Sequence, residues 1–197
     1  MRRCPLLPIA VVLLAACGLP DDREPRRITA DEAPIDLDES DDDRPAAGGS
    51  DEVTLYFVRE GRLVPVDRAV DVETLQTAIQ ALLDGPTGVE EAEQLGSAIL
   101  AETVLRGVAV DNNIGVINLG CSGEAAIPGQ CGLLGVGGTD QVLLFAQLAC
   151  TGDAVRGVFG VRFQQEGEPQ QAPLADGPLT SEPVRCTDYR SLGPDNS

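Results

Sequence analysis

The segment Asp71-Val-Glu-Thr-Leu-Gln-Thr-Ala-Ile-Gln-Ala-Leu-Leu-Asp-Gly-Pro-Thr87 has the clearest helical pattern in the chain. Apolar residues recur in it at three- and four-residue spacing, as in an amphipathic helix: Val72, Leu75, Ile79, Leu82 and Leu83. Asp71 is a favourable N-cap, and Gly85-Pro86 ends the pattern because proline cannot continue a helix. The segment therefore predicts a helix over 72–84.

The residues on either side of this helix are rich in β-branched and aromatic side chains. Before it, 53–58 predicts a strand and 63–66 predicts a short extended segment. After it, 103–110 and 114–119 are two further β-rich runs around Asp-Asn-Asn at 111–113. Because asparagine tolerates the left-handed conformation of a tight turn, the sequence predicts a hairpin there.

The second half of the chain repeats this alternation. A second helix is predicted after a glycine-rich loop, with Thr139 or Asp140 as its N-cap. Its apolar stripe consists of Val142, Leu143, Ala146 and Ala149. Residues 155–163 predict a strand, which turns at 166–168 towards a shorter partner at 170–173.

The order of elements is strand, helix, hairpin, helix, hairpin. It favours an α+β fold in which two helices pack on one face of a mostly antiparallel sheet. A doubly wound parallel sheet would need a helix between nearly every pair of strands, and the pattern does not supply them.

The first residues have the pattern of an export signal. Two arginines precede the apolar stretch 6–16, which would span about 16 Å as a helix, roughly half of a bilayer core. The stretch therefore predicts a signal peptide over residues 1–16. Leu14-Ala-Ala-Cys-Gly18 resembles the lipobox of bacterial lipoproteins, which implies that Cys17 carries diacylglycerol and palmitate after cleavage. An ordinary signal peptide that contains a cysteine is the alternative.

Residues 17–52 differ in composition from the rest of the chain. Between 18 and 52 there are 13 acidic residues, four arginines and four prolines, with no aromatic side chain. So few apolar groups cannot offset the entropy of ordering the backbone, and we predict a disordered acidic tether that leads to one domain over 53–197. A calcium loop at 36–43 is the alternative, but this stretch lacks the glycine and terminal glutamate of an EF-hand.

The composition excludes several classes of active site. The chain has no histidine, and all 14 basic residues are arginine. It therefore has no Ser-His or Cys-His pair, no imidazole metal ligand, and no lysine for a phosphate loop or a Schiff base. The formal charge of −18 opposes nucleic-acid binding. We expect a protein without catalytic residues, cofactor or metal, although a hydrolase that uses two carboxylates stays open.

Four cysteines remain beyond the predicted signal peptide and the lipobox: Cys121, Cys131, Cys150 and Cys186. An even number in an exported domain favours two disulfides, for which three pairings exist. We favour Cys121–Cys131, which brackets one loop, and Cys150–Cys186, which joins the second helix to the C-terminal tail. A zinc site of four cysteines is the alternative, but the closely paired spacing of such sites is missing.

Several short motifs follow one another along the domain: Val53-Thr-Leu-Tyr-Phe57, Leu63-Val-Pro-Val66, Leu82-Leu-Asp-Gly-Pro-Thr87, Gly96-Ser-Ala-Ile99, Ala146-Gln-Leu148 and Asp176-Gly-Pro178. In kind and order they resemble the GerMN domain of bacterial sporulation and germination proteins and of actinobacterial lipoproteins. The chain resembles this family over nearly all of residues 53–190. It departs from the pattern at Leu100-Ala-Glu102, where the family usually has a proline, so a different bend is expected there.

The resemblance implies a module that acts through protein contacts and has no established catalytic residue. Together with Cys17 and the tether, it leads to one expectation of function. The chain is a lipoprotein anchored on the extracytoplasmic face of the cell membrane, and its domain binds another protein of the envelope. The alternatives are a binder of a small ligand or cell-wall fragment, and a carboxylate-dependent hydrolase.

Overall fold

An α+β domain of eight strands and three α-helices occupies residues 51–123 and 131–193, the part of the chain that the computed structural model describes. Cys17, the predicted signal peptide and nearly all of the predicted tether lie outside these residues. Among the described residues, no helix is both long enough and apolar enough to cross a bilayer.

The domain begins with a hairpin where the sequence predicts one strand and an extended segment. Strand β1 (Asp51–Arg59) pairs antiparallel with β2 (Arg62–Val70) through a two-residue turn. Both turn residues have positive φ, 52° at Glu60 and 76° at Gly61, as a tight hairpin turn requires. The predicted extended segment 63–66 lies within β2, and the hairpin pairing is missed because a glutamate in the left-handed conformation is an uncommon turn signal.

Helix α1 (Leu75–Leu83) is the helix that the sequence predicts, but it begins three residues later. Its N-cap is Thr74, not Asp71. The Thr74 hydroxyl accepts the N–H of Thr77, and the Thr77 hydroxyl accepts the N–H of Thr74. This reciprocal pair satisfies two backbone donors at once and fixes the first turn. A short helix that the sequence analysis misses, α2 (Gly88–Ala92), follows directly.

A mixed four-stranded sheet forms the second half of the domain, in the order β3, β4, β5, β6. Its strands are β3 (Thr103–Asp111), β4 (Ile114–Cys121), β5 (Val161–Gln165) and β6 (Glu168–Gln170). The β3–β4 hairpin is confirmed, with positive φ at both turn asparagines. The described strand pairs are mostly antiparallel, as predicted, and β4–β5 is the parallel exception among them.

Helix α3 (Gly138–Ala154) connects the two parallel strands. The sequence predicts one apolar stripe, but every residue from Leu143 to Gly152 is buried. Helix α3 is enclosed because it contacts β1 and β2 as well as β5 and α1. The predicted arrangement, in which two helices pack on one face of one sheet, is therefore too simple. Its approach to β5 is close: a Cβ on Gly152 would lie 2.6 Å from a methyl of Val161.

The predicted strand over 155–163 is shorter than expected and begins only at Val161, because Gly157 and Gly160 have positive φ and form a loop. The expected partner at 170–173 is divided between β6 and β7 (Ala172–Pro173). Strand β7 pairs with β8 (Leu179–Thr180), and a 3₁₀ segment, Cys186–Leu192, ends the described chain.

One hydrophobic core joins these elements. Its largest fully buried apolar side chains are Phe57, Phe145, Leu55, Leu63, Ile79, Leu82, Ile117, Leu119, Leu133, Leu144 and Leu148. Phe145 of α3 meets Phe163 of β5 edge to face, with ring centroids 4.8 Å apart. Helices α1 and α3 and both larger sheets are therefore held by the same apolar cluster, which gives the loops a rigid base.

Candidate functional site

Two buried polar side chains of α3 cover the free edge of β1. Gln147 is fully buried, and its Nε2 donates to the carbonyl of Tyr56 at 2.9 Å. Its Oε1 accepts the N–H of Ala98 at 2.7 Å. One turn further along, the Thr151 hydroxyl accepts the N–H of Tyr56 at 3.1 Å. Backbone groups that would otherwise be unsatisfied are thus paired with side chains of the helix.

The segment before β3 is fixed by the same contacts. Gly96 exchanges two backbone hydrogen bonds of 2.8 Å with Val58. Gln147 occurs in the family motif at 146–148, and Gly96 begins the motif at 96–99. The structure gives both an architectural role, since they hold the chain beside β1.

An open groove of about 470 Å³ lies beside this segment and the N-terminal end of α3. Apolar side chains form much of its wall: Val58, Leu95, Leu100, Val136 and Leu143. Asp140 is the only carboxylate among its described lining residues. The volume is within the range of small-ligand sites, but a glycosidase-type mechanism needs two carboxyl groups and this lining offers one.

Two disulfides tie the loops and the tail to the core. Cys121–Cys131 closes a separation of 10 residues, and Cys150–Cys186 closes 36. These are the two pairings that the sequence analysis favours. Beside the second bond, Asp153 accepts the N–H of Cys186 at 3.3 Å. The four cysteines of the alternative zinc site are therefore all engaged in disulfides.

The partly buried carboxylates of the domain are paired with arginine. Arg68 donates to Glu90 at 2.6 Å and lies 5.4 Å from the ring centre of Phe57. Burial acts to raise the pKa of Glu90, but the hydrogen bond from the Thr87 N–H and the Arg68 guanidinium outweigh it, so the pKa lies below its usual value. A carboxyl held ionised in this way is suited to structure and not to proton donation at neutral pH.

An exposed carboxylate–arginine pair, Glu166 with Arg106, links β3 to the turn after β5. Hydrogen bonds from Arg106 and from the backbone N–H of Cys121 lower the pKa of Glu166. Arg106 also donates to the carbonyl of Cys121 at 2.7 Å. The described residues contain no group of three or more metal-ligating side chains that could hold an ion.

Three loops meet at the C-terminal end of α3: residues 71–74, 112–113 and 155–160. We call these residues the loop end. Glu73 accepts the N–H of Arg156 at 2.8 Å and pairs with its guanidinium at 3.2 Å. The carbonyl of Asn113 accepts the N–H of Phe159 at 2.7 Å. The Asn113 side chain donates to the carbonyl of Gly157, also at 2.7 Å. Cross-loop bonds therefore fix the positions of all three loops.

The loop end exposes apolar side chains on an acidic protein. Phe159 is 60% exposed and Val72 is 56% exposed, and Val110, just before the β3–β4 turn, is 52% exposed. These are three of the six large apolar residues that are exposed in the described part of the chain. The sequence analysis misses Phe159 because it assigns the residue to a strand, where a phenylalanine is expected to be buried.

A family model identifies the type of domain. A family model described as Germane, sporulation and spore germination, matches residues 54–171. No curated protein matches the sequence.

Three solved structures that resemble this chain are from Bacillus subtilis and Clostridium perfringens. The tandem GerMN domains of the sporulation protein GerM from Bacillus subtilis are 13% identical, with 71% of this chain and 48% of that chain covered and a TM-score of 0.48. The first GerMN domain of GerM alone is 14% identical, with 69% and 98% covered and a TM-score of 0.48. A protein from Clostridium perfringens, described as a candidate lipoprotein, is 19% identical, with 75% and 95% covered and a TM-score of 0.44. The chain spans about half the length of the tandem structure.

Proposed function

The chain belongs to the Germane family of sporulation and spore germination domains, and on this premise we propose that it is a lipid-anchored protein of the extracytoplasmic membrane face whose domain binds another envelope protein through the loop end. The exposed apolar side chains of the loop end, held by cross-loop hydrogen bonds, carry the proposal. Aromatic residues on a rigid base are common anchors of protein interfaces.

The chemistry elsewhere in the domain supports a binding role rather than catalysis. The buried polar side chains Gln147 and Thr151 are engaged with backbone groups of their own domain. Glu90 and Glu166 are paired with arginines, and both pKa shifts are downward. A general acid needs the opposite shift, so neither carboxyl is suited to donate a proton at neutral pH.

The anchoring half of the proposal rests on the sequence around Cys17. Two acyl chains on its thioether would hold the chain stably on a bilayer, where one chain would not. Cells labelled with an alkyne fatty acid should yield a labelled chain, and the Cys17→Ser variant should not. The Cys4→Ala variant is the matched control and should be labelled normally. Equal labelling of the wild type and Cys17→Ser would refute lipidation at this residue.

The binding half is tested with Phe159→Ser. Affinity purification from detergent-solubilised envelope should enrich a partner with the wild-type chain and lose most of it with this variant. Val89→Ser is a matched control, because Val89 is 73% exposed on α2, outside the loop end. If all three chains retain the partner equally, the loop end does not form the contact. If no partner is recovered with the wild-type chain, the result counts against protein binding altogether.

A second candidate function, binding of a small ligand or a cell-wall fragment, is favoured by the groove beside α3. Its volume of about 470 Å³ and its mostly apolar wall would suit part of a peptide or sugar chain. Purified muropeptides should then raise the melting temperature of the domain, and Leu100→Asp, on the partly exposed wall of the groove, should abolish the rise. No change in melting temperature at millimolar concentrations would exclude this candidate.

A further inference from the structure

Strand β3 forms one edge of the four-stranded sheet; helix α1 packs against it, but no described strand pairs with its outer side. Among the described residues, the backbone of 104–111 is hydrogen-bonded only to β4. The comparable edge of β1 is covered by Gln147 and Thr151. At the other side of the sheet, β6 has three residues and contains Pro169. Natural sheets protect edge strands by such means, because an open edge is a template for another strand.

The orientation of the free backbone groups follows from the β3–β4 turn. A two-residue turn makes Asp111 and Ile114 a hydrogen-bonded pair, so the next pair, Val110 and Gly115, is not bonded across the hairpin. The Gly115 N–H accordingly points to β5 and donates to the carbonyl of Gly160 at 2.9 Å. By the same alternation, Val110 and Val108 direct their N–H and carbonyl groups away from β4.

The charges along this edge indicate what it would bind. Glu102 before β3 and Asp111 at its end are both exposed carboxylates, about 30 Å apart along an extended chain. The one cation of the strand, Arg106, is occupied by Glu166 and by the carbonyl of Cys121. Val110, two residues before the loop end, adds an exposed apolar side chain. Each end of this edge therefore carries a carboxylate, and the strand has no unoccupied cation of its own to pair with either.

We propose that β3 binds an extended segment of a partner protein as an added strand, and that this segment has an arginine or lysine near each end and apolar β-branched residues between them. Backbone hydrogen bonds to Val108 and Val110 would supply affinity, and the carboxylates of Glu102 and Asp111 would select the basic ends. The inference rests on the proposed function, since it gives the chemistry of the envelope partner.

The test uses the full chain, purified from membranes in detergent, and a synthetic probe. The probe is an acetylated and amidated nine-residue peptide, Arg-Val-Thr-Val-Thr-Val-Thr-Val-Arg, and the control peptide has glutamate at both ends. Amide hydrogen exchange in 103–111 should slow by about tenfold with the arginine-ended peptide and stay unchanged with the control peptide. Exchange in 114–121 should change little, because β4 is already paired on both sides.

Val110→Pro removes one outward N–H and leaves the hydrogen bonds between β3 and β4 intact. It should lower the affinity for the arginine-ended peptide by about tenfold. Val110→Thr keeps that N–H and is the matched control, with affinity close to wild type. Should the proline variant fail to fold, Glu102→Gln gives an independent test. Its side chain is exposed, and the loss of one charge should weaken the arginine-ended peptide several-fold.

Three results would overturn the proposal. In the first, the peptide fails to bind; in the second, it binds without slowing amide exchange in 103–111. In the third, the chain forms dimers that dissociate in the Val110→Pro variant, which would mean that a second copy of the chain occupies the edge. The proposed function is tested separately by the Phe159→Ser purification. A partner that is lost with Phe159→Ser but retained with Val110→Pro would leave the proposed function standing and refute only the role of β3.

Discussion

Replacing Gln147 by methionine should strongly destabilise the domain, although the two side chains have similar length. Gln147 is completely buried, and it satisfies the carbonyl of Tyr56 and the N–H of Ala98. Methionine can neither donate to the first nor accept from the second. Each partly buried backbone group left without a partner costs about 1–3 kcal/mol, so the expected loss is about 2–5 kcal/mol, or roughly 5–15 °C in melting temperature.

The control variant is Gln80→Met on the outer surface of α1. Gln80 is exposed, and its one hydrogen bond goes to the Asp84 side chain at 3.0 Å, so its loss should cost less than about 0.5 kcal/mol. Unfolding is best followed by circular dichroism in denaturant, because the chain has no tryptophan. Both variants should be measured with the disulfides intact.

A further variant tests the electrostatic side of the same site. Gln147→Glu keeps an acceptor for the N–H of Ala98 but places a buried carboxylate against the carbonyl of Tyr56. Burial would raise the pKa of that carboxyl, so the variant should regain stability as the pH falls and the group takes up a proton. A loss below about 1 kcal/mol for Gln147→Met, or no acid recovery for Gln147→Glu, would show that α3 does not secure β1 in this way.

Three further predictions concern other parts of the domain. Replacing Cys150 and Cys186 together by serine should cost about 3–4 kcal/mol in chemical denaturation, more than the loss of the shorter Cys121–Cys131 loop, because the longer loop restricts the unfolded chain more. Since the pKa of Glu90 is below its usual 4.5 in the folded domain, its contribution to stability is present above pH 4.5 and lost as the pH falls through the folded value. Glu90→Gln should therefore reduce the loss of stability between pH 7 and pH 3, and an unchanged loss would contradict this assignment. Phe159→Ser should leave the melting temperature within about 2 °C of wild type, because the side chain is mostly exposed, and a larger fall would mean that Phe159 stabilises the fold.

Much of the fold could be predicted because local signals and packing agree. The spacing of Leu75, Ile79 and Leu82 predicts α1, and the three residues are buried as expected. Asn112 and Asn113 predict the β3–β4 turn, and both adopt positive φ. In each case local residues signal the element, although α1 begins three residues later than its pattern predicts.

The rest depends on contacts that are distant in sequence. The parallel pairing of β4 with β5 requires α3 to cross between them, and nothing within either strand specifies a partner. Gln147 and Thr151 appear in the sequence as polar interruptions of an apolar helix, and their roles become visible only when β1 lies beside them. Phe159 is misassigned because the glycines around it end the strand earlier than the β-rich composition indicates.

The most direct test of the account is site-specific photocrosslinking in living cells. A benzophenone amino acid replaces Phe159 at the loop end, and in a control chain it replaces Gln80 on α1. We predict one discrete adduct with an envelope protein from position 159, none from position 80, and loss of the adduct when Cys17→Ser is added. No adduct from position 159, or the same adduct from both positions, would contradict the account.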